Sequence, residues 1–400
     1  MKRIKLGIRR NLFYPIILFI CDFLRKIDSY AMSDYYTFKY PILLILIMFV
    51  SEFVTGLSLF LYQKNYLTKN KNETEQVFMG IKLITSTQEN IPHPDSSLKI
   101  FIYIILISLF DFLVFLIDVY IYPKYLDNIQ NNENDKFSIL NIRLTSILAL
   151  TSALLYCLIF KSSIYRHQKL SLYIILICTI IILVLEFFIE IFVLKQDIKD
   201  FFVVFVLIFI NHFLHSTYEI MEKYILEYDF INPFQLLMFE GCFGFVITSI
   251  FILFFWMIIN KSLKEIIMGN FPEENPIPLI ILLLIYFLLC GARNAYKEVT
   301  NKIFSPMTLS LCYCILNPII LIIVMIQHFI EESKAPVIII YYIINFISSF
   351  IIVFFCCVYN ELIILFCCEL ECDTHYEIYK RANTDFLLNY MLDEEEHIDE

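Results

Sequence analysis

Runs of Ile, Leu, Phe and Val, each about 20 residues long, recur along almost the whole chain with short polar stretches between them. A helix rises about 1.5 Å per residue and the hydrocarbon layer is about 30 Å thick, so such runs match a membrane crossing. They are too long and too frequent for core strands, and an open sheet edge cannot be satisfied in lipid. The pattern predicts an all-α membrane protein of about ten transmembrane helices, over residues 11–32, 41–62, 99–122, 138–160, 170–194, 201–222, 233–259, 278–297, 303–327 and 336–358. Turn chemistry separates them at Ile91-Pro-His-Pro-Asp-Ser-Ser97, Asn131-Asn-Glu-Asn-Asp135 and Phe271-Pro-Glu-Glu-Asn-Pro-Ile-Pro278. The longest connection, from about Gln63 to Leu98, carries nothing that reads as a domain.

Composition strengthens this picture. Of 400 residues, 59% are apolar and 18% charged, with a mean hydropathy of +0.72, whereas a soluble domain runs near 45–50% and about 25%. The basic N-terminus (1–10) followed by an apolar run imitates a signal peptide, but no small-residue cleavage site follows, and Asp22, Arg25 and Lys26 interrupt the run. An uncleaved first span is expected, the least apolar of the set. With the N-terminus cytoplasmic, seventeen Lys and Arg fall on the cytoplasmic side and eight on the other, which predicts both termini inside. The sequon Asn72-Glu-Thr74 then lies in the cytoplasm. An even span count with both ends on one side permits a five-plus-five inverted repeat. The division is a first repeat over 11–194, a second over 201–358, and a cytoplasmic acidic tail over 359–400, ending Asp393-Glu-Glu-Glu-His-Ile-Asp-Glu400. The net charge of −10 argues against a nucleic-acid partner.

Ionisable side chains inside spans are costly and by default functional. Asp22 and Lys26, four apart, either neutralise each other on one face or face a cavity. Glu186 and Glu190 read as rim carboxylates reaching water. Glu52, Asp111, Arg143 and Arg293 sit in apolar surroundings without a local partner, so they are either interhelical ion pairs or substrate-lining groups. His212, His215 and Glu219 share one face, as metal ligands, a proton relay, or simply the polar side of a helix. Glycine occurs seven times in the chain; Gly241 and Gly244, following Glu240, predict a close helix-packing seam. No GxSxG, HExxH or phosphate-cradling glycine loop is present, so neither an enzyme nor a cofactor is expected. Cys367, Cys368 and Cys372 follow the last span as candidate palmitoylation sites or an interfacial stretch.

Glu219-Ile-Met-Glu-Lys-Tyr-Ile-Leu-Glu-Tyr-Asp-Phe-Ile-Asn-Pro233 and Phe239-Glu-Gly-Cys-Phe-Gly-Phe245 resemble a segment of the drug/metabolite transporter superfamily, most closely the subfamily F branch of solute carrier family 35. Met48-Phe-Val-Ser-Glu-Phe53, Leu109-Phe-Asp111, Asn141-Ile-Arg143, Asn294, Val299-Thr300 and Tyr359-Asn360 are similar to further motifs of that branch, in the same order. The first helix departs from the branch in being charged, and Leu144 replaces a glycine. The resemblance implies a ten-helix alternating-access carrier in a family that moves nucleotide sugars and other small metabolites, with an endomembrane as the expected location. The expected function is exchange or transport of a small anionic solute, with Glu52, Asp111, Arg143, His212, His215, Arg293 and Asn294 lining its path. Lipid and solute are the expected partners, and a homodimer is left open. A scaffold on a degenerate carrier fold and a divalent-metal carrier centred on His212, His215 and Glu219 are the alternatives.

Overall fold

The computed structural model describes residues 4–6, 12–36, 42–69, 76–78, 81–83, 97–118, 144–193, 197–229, 231–259, 276–330 and 336–366, with 370, 372, 374 and 377. Among these residues ten α-helices follow one another. They are α1 (Phe13–Tyr36), α2 (Ile42–Lys69), α3 (Ser97–Leu116), α4 (Ser146–Phe160), α5 (Arg166–Phe188), α6 (Ile198–Tyr228), α7 (Pro233–Ile259), α8 (Ile277–Ile303), α9 (Pro306–Ile330) and α10 (Pro336–Tyr359). A π-helical turn, Ile189–Val193, extends α5. Four three-residue strands make two small ribbons: β1 (Ile4–Leu6) with β4 (Ile363–Leu365), and β2 (Gln76–Phe78) with β3 (Ile81–Leu83), both antiparallel.

Eight helices, α2, α3 and α5 to α10, are long and apolar enough to cross a membrane. The chain is an all-α, multi-pass membrane protein. α1 falls outside the eight because Asp22, Arg25, Lys26 and Asp28 interrupt its middle. The 15 residues of α4 reach only about 22 Å at 1.5 Å each, short of the hydrocarbon thickness. Large apolar side chains point outward along several helices, as with Leu176, Ile180 and Val184 of α5 and Ile250, Leu253 and Met257 of α7. The buried set, in contrast, holds many charged and amide groups.

Local chemistry sets the helix ends. Pro233, Pro306 and Pro336 occupy first helical positions, where a missing N–H costs nothing and φ is already helical. Asp197 caps α6 by accepting from the Lys199 backbone N–H at 3.1 Å. Lys161, at φ 50°, stops α4 in the left-handed region.

The helices pack as a mesh. α2 lies most extensively on α7, α1 on α8, and α5 on α10; α3 packs on α6 and α7, α4 on α6 and α9, and α8 on α2. Gly241 makes the α2–α7 contact possible, since a Cβ there would strike the backbone of α2 at Phe49 and Phe53. Gly244 lies against the Phe49 ring, and from the α2 side a Cβ on Gly56 would come within 2.6 Å of the Met238 backbone nitrogen.

The helices overrun the expected ends in two places that matter. α6 continues past 222 to Tyr228 and α8 past 297 to Ile303, so Lys223, Lys297 and Lys302 are not loop charges. Lys223 and Lys297 are buried, at 3% and 2% exposure. Without these three the positive side still holds the larger number. Arg143, the Asn72–Thr74 sequon, Cys367, Cys368 and the tail over 393–400 lie outside the described residues.

Candidate functional site

α1, α3, α4, α6, α8 and α9 surround a cavity of about 70 Å³ inside the bundle. Its charged centre is Asp22 of α1. Arg25 approaches Asp22 at 3.0 Å, Lys26 at 3.3 Å, and Arg293 of α8 at 3.4 Å. The neutralising pair expected within α1 therefore exists, but it belongs to a set that joins two helices. One carboxylate shared by three cations leaves this wall with surplus positive charge. Arg293 is oriented by further bonds, donating to Asn294 Oδ1 at 2.6 Å and to the Tyr313 hydroxyl at 2.9 Å. His212 and His215 also line the cavity. His215 pairs with Glu219 at 3.1 Å, stacks on Tyr218 and meets Tyr313 edge-on. Asn211 donates to Asp118 at 2.6 Å on the cavity wall.

A second polar layer lies one helical turn further along α6 and α8. Lys297 Nζ donates to Glu222 Oε1 at 2.6 Å, stands 3.3 Å from Glu298, and sits 4.7 Å from the centre of the Tyr218 ring. Carboxylate oxygens of Glu222, Glu240 and Glu298 lie within 4.8 Å of one another, all three buried. At an effective dielectric of about 20, two charges at that distance repel by roughly 3.5 kcal/mol, so three full carboxylates and one ammonium are not a balanced set. Asn294 of the same α8 face donates to Glu52 of α2, and Asn301 donates to the Glu219 carbonyl at 2.8 Å and to Glu222 at 3.2 Å.

Beyond this layer the bundle is tied shut. Lys223 reaches carbonyls at the end of α8, those of Asn301, Lys302 and the capping Phe304, at 2.7–3.1 Å, and pairs with Glu227 at 2.7 Å. A cation on a helix C-terminus satisfies both the orphan carbonyls and the helix dipole. Asn232 donates to Gln63 at 2.5 Å, bridging the start of α7 to α2.

Of the residues singled out from sequence, His212, His215 and Arg293 meet at the cavity, and Glu52 and Asn294 meet next to it. Asp111 of α3 is buried, and its Oδ1 has no hydrogen-bond partner among the described residues. Glu240 does more than open a packing seam, since its carboxylate joins Glu222 and Glu298. Gly241 and Gly244 face α2. The rim reading of Glu186 and Glu190 is corrected: Glu186 is 1% exposed and accepts from Tyr341 and Asn345 of α10, and Glu190 is 8% exposed. The Glu186 carboxylate turns into the α5–α10 contact instead of reaching out, because α10 supplies a hydroxyl and an amide at its level.

Glu222, Lys297, Glu298 and Tyr313 were missed by sequence reasoning. The signal was present: Arg293, Asn294, Lys297, Glu298 and Asn301 fall at i, i+1, i+4, i+5 and i+8, one face of a helix. That face was truncated by ending the span at 297. No protein-family model and no curated protein matches this chain.

Proposed function

We propose that this protein is a secondary carrier that moves a small anionic solute across an endomembrane by alternating access. The observation that carries this reading is the cavity at Asp22, where Arg25, Lys26 and Arg293 converge on one carboxylate inside a lipid-crossing bundle. An anion entering there meets the surplus positive charge of Arg25, Lys26 and Arg293, and it can take over guanidinium contacts that Asp22 now shares among the three. The polar ties on one side of the cavity, from Lys223 to α8 and from Asn232 to Gln63, close that end, as one state of a two-state carrier requires. A cavity of 70 Å³ accepts a few waters or a small anionic group. A solute the size of a nucleotide sugar needs several hundred Å³, so the helices must part to admit one.

The ten-helix, five-plus-five plan draws support from the packing. Exchanging helix n with helix n+5 maps α1–α8 onto α6–α3, α8–α2 onto α3–α7, α9–α10 onto α4–α5, and α4–α6 onto α9–α1. The pairs α2–α7, α4–α9 and α5–α10 map onto themselves. Two halves of five crossings are inverted relative to each other, because an odd count ends on the opposite side. Pairing of β1 with β4 brings both ends of the bundle together, as an even total demands. The positive-inside bias puts those ends in the cytoplasm. The motifs that resemble solute carrier family 35 include Glu52, Asp111, Glu240 and Asn294, all of which are buried.

The test is uptake by proteoliposomes holding the full chain, against a panel of inorganic phosphate, nucleotides, nucleotide sugars and carboxylates. Uptake of at least one anion above empty vesicles is expected. R293Q is expected to weaken it by about 2 kcal/mol or more, roughly thirtyfold in apparent affinity. No uptake of any panel member, or uptake indifferent to R293Q, overturns the reading.

A further inference from the structure

The carboxylates around Lys297 are not needed to hold an anion at Asp22, and they oppose one. Glu222 and Glu298 approach Lys297 from α6 and α8, and Glu240 reaches the same place from α7. Two negative charges therefore remain if all three are ionised. The surroundings add more of the same sign. Glu52 of α2 and Asp111 of α3 are buried nearby, Glu219 is one turn back on α6, and Arg293 is the next cation along α8. Tyr218 contributes a neutral ring against Lys297.

Hydrogen bonding points the same way independently of charge. Glu240 Oε1 and Glu298 Oε2 are buried, in residues of 3% and 0% exposure, with no hydrogen-bond donor among the described residues, and Glu298 Oε1 has the Lys297 ammonium at 3.3 Å. A carboxylate away from water needs donors, and a carboxyl carries its own. A proton on one of these oxygens turns two orphaned acceptors into a donor and its acceptor. A divalent cation fits less well, because the Lys297 ammonium already occupies the space between two of the three carboxylates at 2.6 and 3.3 Å.

We propose that Glu222, Glu240 and Glu298, gathered around Lys297, form the proton-binding site of the carrier, and that proton and anion travel together. The step is an O–H bond formed on a carboxylate oxygen with a proton taken from water on the open side, and broken to water on the other. The link to the cavity is short. Tyr218 lines the cavity and its ring lies against Lys297. Loading protons removes negative charge next to the place an anion must occupy, so each ligand favours the other, and reciprocity makes the coupling a symport.

This rests on the carrier reading, and two measurements separate them. The first needs no substrate: infrared difference spectra of the purified full chain, taken between about pH 9 and about pH 5, well apart from ordinary carboxyl titration at the upper end. A carbonyl band of buried carboxylic acid is expected in the wild type and is expected to shrink in both E240Q and E298Q, each checked for an intact melting transition. An unchanged band in every variant that melts normally overturns the site, as does loss of the band on adding Mn²⁺ alone, which would make the cluster a metal site. The second is inorganic phosphate uptake into liposomes under an inward proton gradient. About tenfold accumulation per coupled proton per pH unit is expected, and E240Q is expected to abolish the gradient response while exchange at uniform pH persists. Uptake indifferent to the gradient overturns symport with the carrier intact. A titrating band in a protein that moves no anion at all upholds the proton site and removes the carrier.

Discussion

Lys297 shows what a buried charge costs and what it organises. It is 2% exposed and holds Glu222 at 2.6 Å and Glu298 at 3.3 Å. Removing one member of a buried ion pair leaves the other without its counter-charge, which costs about 3–5 kcal/mol, whereas removing both is often nearly neutral. K297M is therefore expected to lower the melting temperature of the detergent-purified protein sharply, and K297M combined with E222Q to recover most of the loss. A double variant as unstable as the single one would show that Lys297 stabilises through its packing on Tyr218 instead. Arg293 differs in kind. Its charge is shared with Arg25 and Lys26 around Asp22, so R293Q is expected to affect solute more than stability.

At the scale of elements, the α2–α7 contact is the most extensive helix pairing among the described residues, and a close one. Gly56, Gly241 and Gly244 each bring a backbone against a neighbour, and in lipid such close approach substitutes for the hydrophobic drive that water would supply. Even a methyl group at 241 meets the α2 backbone, which cannot move without displacing Glu52 as well. G241A is expected to cost about 1–3 kcal/mol by overpacking and to disturb the Glu52–Asn294 bond, read out as a lower melting temperature and weaker uptake together. A neutral G241A would place the seam elsewhere. The seam was legible from the paired glycines alone. The register of α6 and α8 was not. Hydropathy ends a span where polar residues begin, yet here Glu222 bonds Lys297 and Asn301, and Lys223 bonds the carbonyls of Asn301 and Lys302, across the two helices, so both helices continue.

For the whole molecule, the pairing of β1 with β4 clasps the segment before α1 to the segment after α10 at the closed end of the bundle. Lys5 lies opposite Ile364 in that ribbon. Residues directly opposite in an antiparallel ribbon are within disulfide reach. A protein carrying Lys5→Cys and Ile364→Cys is expected to cross-link under mild oxidation, visible as a shift in gel mobility after cleavage between the two positions. Failure to cross-link would detach the segment before α1 from the segment after α10. If the halves rock to admit solute, the oxidised form is also expected to transport more slowly than the reduced one.

What the sequence by itself determined is the solvent: long apolar runs admit only helices in lipid, since nothing else satisfies the backbone there. It also marked Glu52, Arg293 and Asn294 as out of place, because a polar residue amid apolar neighbours is conspicuous at any helix position. Which of these meet was decided only by the tertiary structure. Asp22 and Arg293 are 271 residues apart, and no helical periodicity relates one helix to another. The same holds for Glu222, Glu240 and Glu298, three ordinary-looking glutamates until three helices set their oxygens within 4.8 Å. Charges in an apolar medium interact by distance, and distance between helices belongs to packing.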